Sequence, residues 1–120
     1  MQDSVATMAR ALPFTLEWMT NSHGPSGIET NAHVQAVAER MANIGQHTEA
    51  DAVVIGCFSE PGVSLLRETY DRPTIGIAEA AYRYAMTQTH RFGVLSIVDA
   101  SVIRHRAHLQ HLGIEQFMAG

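Results

Sequence analysis

The sequence contains no lysine and only one cysteine, and these absences exclude several kinds of chemistry. All eight basic residues among the 120 are arginine, so a lysine Schiff base, a phosphate-loop lysine and the lysine of a response-regulator site are excluded. The single cysteine, Cys57, cannot form an internal disulfide. A reduced, cytoplasmic setting is therefore expected.

Long apolar runs and an excess of positive charge are also missing. The longest apolar runs are only a few residues, too short to span a bilayer, and no basic segment leads from Met1 into an apolar stretch, so no secretion signal is expected. The net charge of −4 offers no basic stripe for a phosphate backbone. We expect an ordinary globular domain that binds neither membranes nor nucleic acids.

Apolar residues recur with alternating helical and strand spacing along the chain. The residues from Ala52 to Cys57 are apolar without polar alternation, which is typical of a strand buried on both faces of a parallel sheet. Helices are predicted at 3–12, 29–44, 59–66, 79–90 and 100–112, and strands at 14–20, 52–57, 73–77 and 92–98. This alternation predicts an α/β fold with an open, doubly wound parallel sheet.

The chain begins with a predicted helix rather than with a strand. A sheet without its first strand exposes one edge of its core. We therefore expect that the chain is part of a longer protein or that a partner chain completes it, and that copies associate into a homo-oligomer.

Cys57 is the strongest candidate for chemistry because it ends the most apolar strand, where doubly wound sheets bind ligands. The segment from Phe58 to Gly62 then turns into a helix. Unpaired N–H groups and the helix dipole there should favour the thiolate, and they could hold a carboxylate or enolate oxygen. The alternative is that Cys57 is a small buried hydrophobic residue, as most free cysteines are. The position alone leaves both interpretations open.

Four ordered segments resemble the hydantoin and allantoin racemases of the Asp/Glu/hydantoin racemase superfamily. The segment 51–62, DAVVIGCFSEPG, is similar to the stretch around the first catalytic cysteine of that family. The others are 73–81 (PTIGIAEAA), 91–97 (RFGVLSI, similar to a strand that ends in two threonines) and 23–29 (HGPSGIE, similar to a loop after the second strand). The resemblance implies a flavodoxin-like sheet that is incomplete relative to the two-lobe racemase fold. Residues 1–120 would form a single domain, with about 1–90 as the N-terminal lobe and about 91–120 as the start of the second.

What the resemblance implies for function is cofactor-independent racemisation, with no metal. Cys57 would transfer the proton, the N–H groups of Phe58 and Ser59 would bind a carboxylate or oxyanion, and the Ser96 hydroxyl would bind from the neighbouring strand end. Glu79 matches a family position and either lines the site or caps its helix. The substrates would be small molecules with an acidic carbon next to a carboxylate or ring carbonyl, such as amino acids, hydantoins or allantoin.

The sequence also departs from the family pattern. Ile97 occupies the substrate-binding position where the family has its second threonine, so one hydroxyl of the expected carboxylate-binding site is missing. Gly27 stands where relatives often have serine. The family's opening strand is absent, and its second cysteine lies in the C-terminal half. A two-base mechanism is therefore not expected in this chain alone.

Two other functions remain open at this stage. A decarboxylase or cis–trans isomerase of the same superfamily is the nearer one, although a cysteine at position 57 favours a racemase. A non-catalytic flavodoxin-like domain, for ligand binding or regulation, is the alternative from a different class.

Other residues have simpler interpretations. The histidines at 105, 108 and 111 could share a metal in pairs, but a solvated helix face with Arg104 and Arg106 is favoured. His23 is expected on a surface loop. Core packing is expected for Trp18, Met19 and Met41.

Overall fold

A computed structural model of the protein describes residues 9–120, so most of the helix predicted at 3–12 lies outside the described residues. The elements, in chain order, are α1 (Asn31–Gln46), β1 (Val53–Ile55), α2 (Val63–Thr69), β2 (Thr74–Gly76), α3 (Ile77–Gln88), α4 (Asp99–His111) and a short 3₁₀ helix (Glu115–Phe117). The α/β class predicted from the alternation is confirmed. The four helices lie within a few residues of their predicted positions.

The sheet consists of β1 and β2, which pair in parallel and are joined by α2. Val53, Val54 and Ile55 stand opposite Thr74, Ile75 and Gly76 in the register. Alternate residues of both strands face the core, but the outward pair, Val54 and Ile75, is 56% and 41% exposed. The prediction that this strand is buried on both faces is therefore wrong within the described chain, because helices cover only one face.

Two predicted strands do not form in the described residues. Residues 14–20 have no strand pairing, and 92–98 contributes only an isolated parallel bridge between Phe92 and Met118. The N–H of Val94 donates to the carbonyl of Gly120 at 2.9 Å, and Leu95, Ser96 and Ile97 pair with no strand in the described chain. An alternating pattern describes which side chains can be buried, but a strand also needs a neighbour to accept its backbone hydrogen bonds.

The buried residues form two clusters. The first packs α1 and α2 against the sheet, and its members are Ala42, Val53, Ile55, Val63 and Leu66. The second packs α3 against α4 and the C-terminal segment, and its members are Ala78, Tyr82, Leu109 and Ile114. The second cluster therefore joins residues on both sides of the predicted boundary near residue 91.

Three residues were predicted to pack in the core. Met41 does pack against the first cluster. Trp18 and Met19 are 44% and 51% exposed, so the prediction for them is wrong. They lie on the unpaired segment 14–20, which provides no second layer to cover them.

Gly62 sets the distance between α1 and the turn that precedes α2. Its φ is 85°, and a Cβ atom there would collide with the carbonyl oxygen of Ala38 in α1. Glycine alone combines that backbone conformation with so close an approach. Among residues 9–120, no helix has the length and apolar character needed to cross a membrane.

Candidate active site

A tight turn from Cys57 to Glu60 follows β1 at the carboxyl end of the sheet. The N–H of Glu60 donates to the carbonyl of Cys57 at 2.9 Å, which closes the turn. The N–H groups of Phe58 and Ser59, in the middle of the turn, donate to no other residue in the described chain. The sequence predicts that these two N–H groups bind a carboxylate or an oxyanion, and that role stays a prediction.

Cys57 is half-buried and packs against the first core cluster. It thus lies between the apolar interior and the turn that carries the two unpaired N–H groups. Both interpretations left open by the sequence, a reactive thiol and a packing residue, are compatible with this position.

Glu60 anchors the turn to two other elements, a role that the sequence did not reveal. Its φ of 50° lies in the left-handed region, which is uncommon for a residue other than glycine. One carboxylate oxygen accepts the N–H of Glu79 in the first turn of α3 at 2.8 Å. The other lies 3.2 Å from Nε2 of His108 on α4, and the side chain is only 6% exposed. A following proline favours an extended backbone, so neither the left-handed φ of Glu60 nor its partners, which are distant in the sequence, could be predicted from the sequence.

Glu79 connects α3 with α2 through its carboxylate. One oxygen lies 3.0 Å from Arg67 on α2, and the other lies 2.7 Å from Arg83 one turn further along α3. Burial alone would raise the pKa of Glu79, but hydrogen bonds and positive charge from Arg83 and Arg67 bring that pKa below its ordinary value. The side chain of Glu79 is therefore ionised and doubly paired, whereas its backbone N–H is capped by Glu60.

The histidines of α4 do not form the solvated face that was predicted. His105 is 8% exposed and packs edge-to-face on Phe58, with ring centroids 5.1 Å apart. His108 is half-buried beside Glu60, and only His111 is exposed. The prediction is wrong because α4 turns this face toward the turn after β1, a packing that periodicity within the helix cannot reveal. Burial, together with Arg104 and His108, lowers the pKa of His105.

A cavity of about 310 Å³ lies between the turn after β1, α2 and α4. It brings together three of the predicted site residues, Phe58, Ser59 and Glu79. Its other polar lining side chains are Asn31, Glu60, Ser64, Arg67, Arg104, His105, His108 and His111. Cys57 itself does not line this cavity, although it directly precedes two residues that do.

Ser96 and Ile97 lie on the segment after Phe92, outside the cavity lining. Ser96 is half-buried, whereas Ile97 is fully exposed. The alternation of burial along this segment places their side chains on opposite sides.

The described residues contain no group of three or more His, Cys, Asp or Glu side chains that could hold a metal ion. His23 is exposed, as expected of a loop residue, and its carbonyl accepts a hydrogen bond of 2.8 Å from Arg40.

Comparison with known proteins gives a consistent result along the whole chain. The family model described as Asp/Glu/Hydantoin racemase matches residues 1–120. A hydantoin racemase of Paenarthrobacter aurescens is 32% identical over 120 residues, which cover 93% of this chain and 49% of that protein. A hydantoin racemase of Rhizobium meliloti is 40% identical over 81 residues, covering 65% of this chain and 34% of that protein.

Two solved structures share the fold over nearly the whole chain. An allantoin racemase from Klebsiella pneumoniae is 29% identical, with a TM-score of 0.84 over 98% of this chain and 51% of the other. The allantoin racemase from Pseudomonas fluorescens is 27% identical, with a TM-score of 0.87 over 99% of this chain and 53% of the other. The chain thus spans about half the length, or less, of these relatives.

Proposed function

Because this chain belongs to the Asp/Glu/hydantoin racemase family, we propose that it carries a racemase-type proton-transfer site in which Cys57 is the reactive thiol. The thiolate removes a proton from a carbon next to a carbonyl, and the N–H groups of Phe58 and Ser59 stabilise the enolate oxygen that forms. The supporting observation is that these two N–H groups, unpaired in the described chain, directly follow Cys57 at the end of β1. The chemistry requires a reduced thiol, as in the cytoplasm, and no cofactor.

The proposed substrates are amino acids, hydantoins or allantoin-type ureides, which present an acidic carbon beside a carboxylate or ring carbonyl. The Ser96 hydroxyl is proposed to be a further hydrogen-bonding group of the carboxylate-binding site. Glu79 is proposed to contribute through its ion pairs with Arg67 and Arg83, because both carboxylate oxygens are already occupied. Ile97 is also proposed to contact the substrate. Because its side chain is fully exposed, that contact forms only when the substrate or a partner chain covers it.

Solvent deuterium exchange tests the proposed thiol chemistry directly. The chain and its Cys57→Ser variant are incubated in D₂O with separate enantiomers of 5-benzylhydantoin and of allantoin, and deuterium at the acidic carbon is followed by mass spectrometry. We expect at least one enantiomer to exchange above a protein-free blank, and Cys57→Ser to slow that exchange about 100-fold or more. Equal rates for the two proteins would contradict the proposal.

The packing of Cys57 against the first core cluster supports one competing function, a non-catalytic ligand-binding domain. The rate of iodoacetamide labelling as a function of pH separates the two. A reactive thiolate labels rapidly with a midpoint below about 8, whereas a packing cysteine labels slowly with a midpoint at or above the ordinary value of about 8.5.

We also propose that copies of the chain associate through the uncovered side of the sheet. Val54 and Ile75 form an adjacent exposed apolar pair, and such a surface favours association. Sedimentation velocity should show a concentration-dependent oligomer that Val54→Thr combined with Ile75→Thr weakens. A monomer at all concentrations would contradict this proposal.

A further inference from the structure

We infer that the cavity beside the turn after β1 binds an anionic substituent of the substrate, and that Arg104 is the residue that recognises it. The inference rests on the proposed function for the identity of the ligand, because the substituent belongs to the molecule whose oxygen the N–H groups of Phe58 and Ser59 bind. The binding of the anion itself requires no reaction and is measured without one.

Arg104 carries a positive charge for which the described residues supply no counter-charge. The side chain is half-buried, and its guanidinium donates to two neutral oxygens, the carbonyl of Glu29 at 2.7 Å and the hydroxyl of Ser101 at 2.9 Å. No carboxylate of residues 9–120 lies within ion-pair distance of it, and its Nε atom is buried without an acceptor. Because a charge removed from water without a partner costs free energy, this guanidinium favours a bound anion nearby.

The histidine next to Arg104 on α4 does not supply the positive charge of this wall. Burial lowers the pKa of His105, and the charges of Arg104 and His108 lower it further. His105 is therefore neutral at neutral pH, and its ring packs on Phe58. The fixed positive charge on the α4 side of the cavity is that of Arg104.

The other charges that line the cavity leave its accessible surface positive. The carboxylates of Glu60 and Glu79 are only 6% and 13% exposed. Glu79 is shared by Arg67 and Arg83, so this group of three keeps one positive charge. Arg67 lines the cavity with its side chain 45% exposed. An anion that enters the cavity therefore meets guanidinium groups from α2 and α4, which suit a carboxylate, rather than exposed acidic groups.

The size and position of the cavity indicate which part of a substrate it receives. Its volume of about 310 Å³ suits a small organic group, and Phe58 and Ser59 line it, whereas Cys57 does not. The reacting carbon, beside the thiol, would lie at the edge of the cavity, so a substituent on that carbon is the part that reaches the interior. The inferred substrates are hydantoins or ureides whose acidic carbon carries a carboxylate-bearing substituent.

Two hydantoins of nearly the same shape test this charge preference in the unsubstituted chain. Racemic 5-(carboxymethyl)hydantoin and racemic 5-(carbamoylmethyl)hydantoin differ by one negative charge at neutral pH, and turnover leaves the composition of a racemate unchanged. Their affinities are measured by isothermal titration calorimetry in a low-salt buffer free of carboxylates and phosphate. We expect the carboxylate to bind about 10-fold or more tightly than the amide. Equal affinities would overturn the inference.

Substitutions on α4 test whether Arg104 is the source of the preference. Arg104→Met keeps an unbranched apolar stem without the charge, and Arg104→Gln also keeps an N–H donor for the carbonyl of Glu29. We expect both variants to lose most of the preference, so that the two hydantoins bind with affinities within about twofold of each other. Arg106 is exposed on the same helix and outside the cavity lining, so Arg106→Met is the matched control and should keep the full preference.

The ratio of the two affinities separates recognition from a structural role. An Arg104 that only ties α4 to the residues before α1 would change the free energy of unfolding and leave this ratio unchanged. Urea denaturation and circular dichroism verify that each variant folds. Arg104→Gln, which keeps a hydrogen bond to Glu29 within reach, provides the test if Arg104→Met does not fold.

The outcomes distinguish this inference from the proposed function. A preference that survives both Arg104 variants, an equal loss of preference in Arg106→Met, or binding of neither hydantoin overturns the anion site. The role of Cys57 is decided separately by deuterium exchange of 5-benzylhydantoin and allantoin, which carry no carboxylate. Absence of that exchange in the unsubstituted chain, together with an Arg104-dependent charge preference, contradicts the proposed function and supports the anion site.

Discussion

At the scale of single residues, Glu60 determines the geometry of the turn that follows β1. Its left-handed backbone costs on the order of 1 kcal/mol or more, and the surrounding contacts must offset that cost. The offset comes from a nearly buried carboxylate that contacts the N–H of Glu79 and the ring of His108. Contacts to α3 and α4 therefore hold the turn that carries the two unpaired N–H groups.

Gly76 leaves room for that carboxylate, and a substitution there tests the contact. A Cβ atom at Gly76 would overlap the carboxylate of Glu60. We expect Gly76→Ala to displace Glu60 and to lower the free energy of unfolding by about 1–3 kcal/mol, as measured by urea denaturation. A Cβ atom at Gly27 would meet only the Glu29 carboxylate at 3.9 Å, an ordinary van der Waals contact, so Gly27→Ala serves as the control. Equal stabilities of the two variants would show that Glu60 moves without cost.

Tyr82 carries a buried hydroxyl without a hydrogen-bond partner in the described chain, and its pKa is raised from 10.0 to about 12. The folded protein therefore holds this proton more tightly than the unfolded chain. The resulting stability is complete below about pH 10 and is lost as the pH rises to about 12, a change of about 2–3 kcal/mol. We expect Tyr82→Phe to remove this alkaline loss, measured by chemical denaturation over that range. An identical pH profile in the variant would contradict the assignment.

At the scale of elements, Glu79 ties α2 to α3 beside the cavity. Arg67 reaches across from α2 to the carboxylate and also donates to the carbonyl of Thr74 at 3.0 Å. Arg83 pairs with the same carboxylate from one turn later in α3. The start of α3 is therefore positioned by a side chain of α2 and, through Glu60, by the turn after β1.

Acid denaturation tests this connection. Because the pKa of Glu79 is lowered on folding from 4.5, its ionised form stabilises the fold above that value, and this contribution is lost as the pH falls through the folded pKa. We expect Glu79→Gln to be less stable than wild type by about 1 kcal/mol near pH 6, and the difference to shrink near pH 3. Glu68, exposed on α2, provides the control variant Glu68→Gln. A difference that stays constant with pH would exclude the ion pairs as its cause.

The elements show where sequence patterns succeed and where they fail. The four helices and the strands β1 and β2 follow from apolar spacing and turn residues, because those signals act locally. Residues 14–20 and 92–98 carry equally good strand patterns, yet they do not form regular strands in the described chain. Such a pattern shows which side chains can be buried. A strand also needs a neighbouring strand whose backbone forms hydrogen bonds with it.

At the scale of the whole molecule, the two core clusters meet at the turn from Cys57 to Glu60. Cys57 packs against the first cluster, and Phe58 packs against the second. The turn therefore contacts both apolar clusters. Its geometry depends on both of them.

Core truncations distinguish these two units. Leu66 and Leu109 are both 0% exposed, one in each cluster. Leu66→Ala and Leu109→Ala should each lower the free energy of unfolding by about 2–5 kcal/mol. We expect Leu66→Ala to accelerate iodoacetamide labelling of Cys57 more than Leu109→Ala does, because Cys57 contacts the first cluster. Faster labelling in Leu109→Ala than in Leu66→Ala would indicate that the thiol packs against the second cluster instead.

The sequence by itself determined the α/β class, most of the helices and the place of Cys57 before a turn with unpaired N–H groups, because all of these depend on neighbours along the chain. Only the tertiary structure decided that Glu60 reaches His108, that His105 is buried and that Trp18 is exposed. These facts depend on how α4 packs against the turn after β1 and on which surfaces remain uncovered. Contacts between residues so distant in sequence arise from packing in three dimensions, which a one-dimensional pattern does not encode.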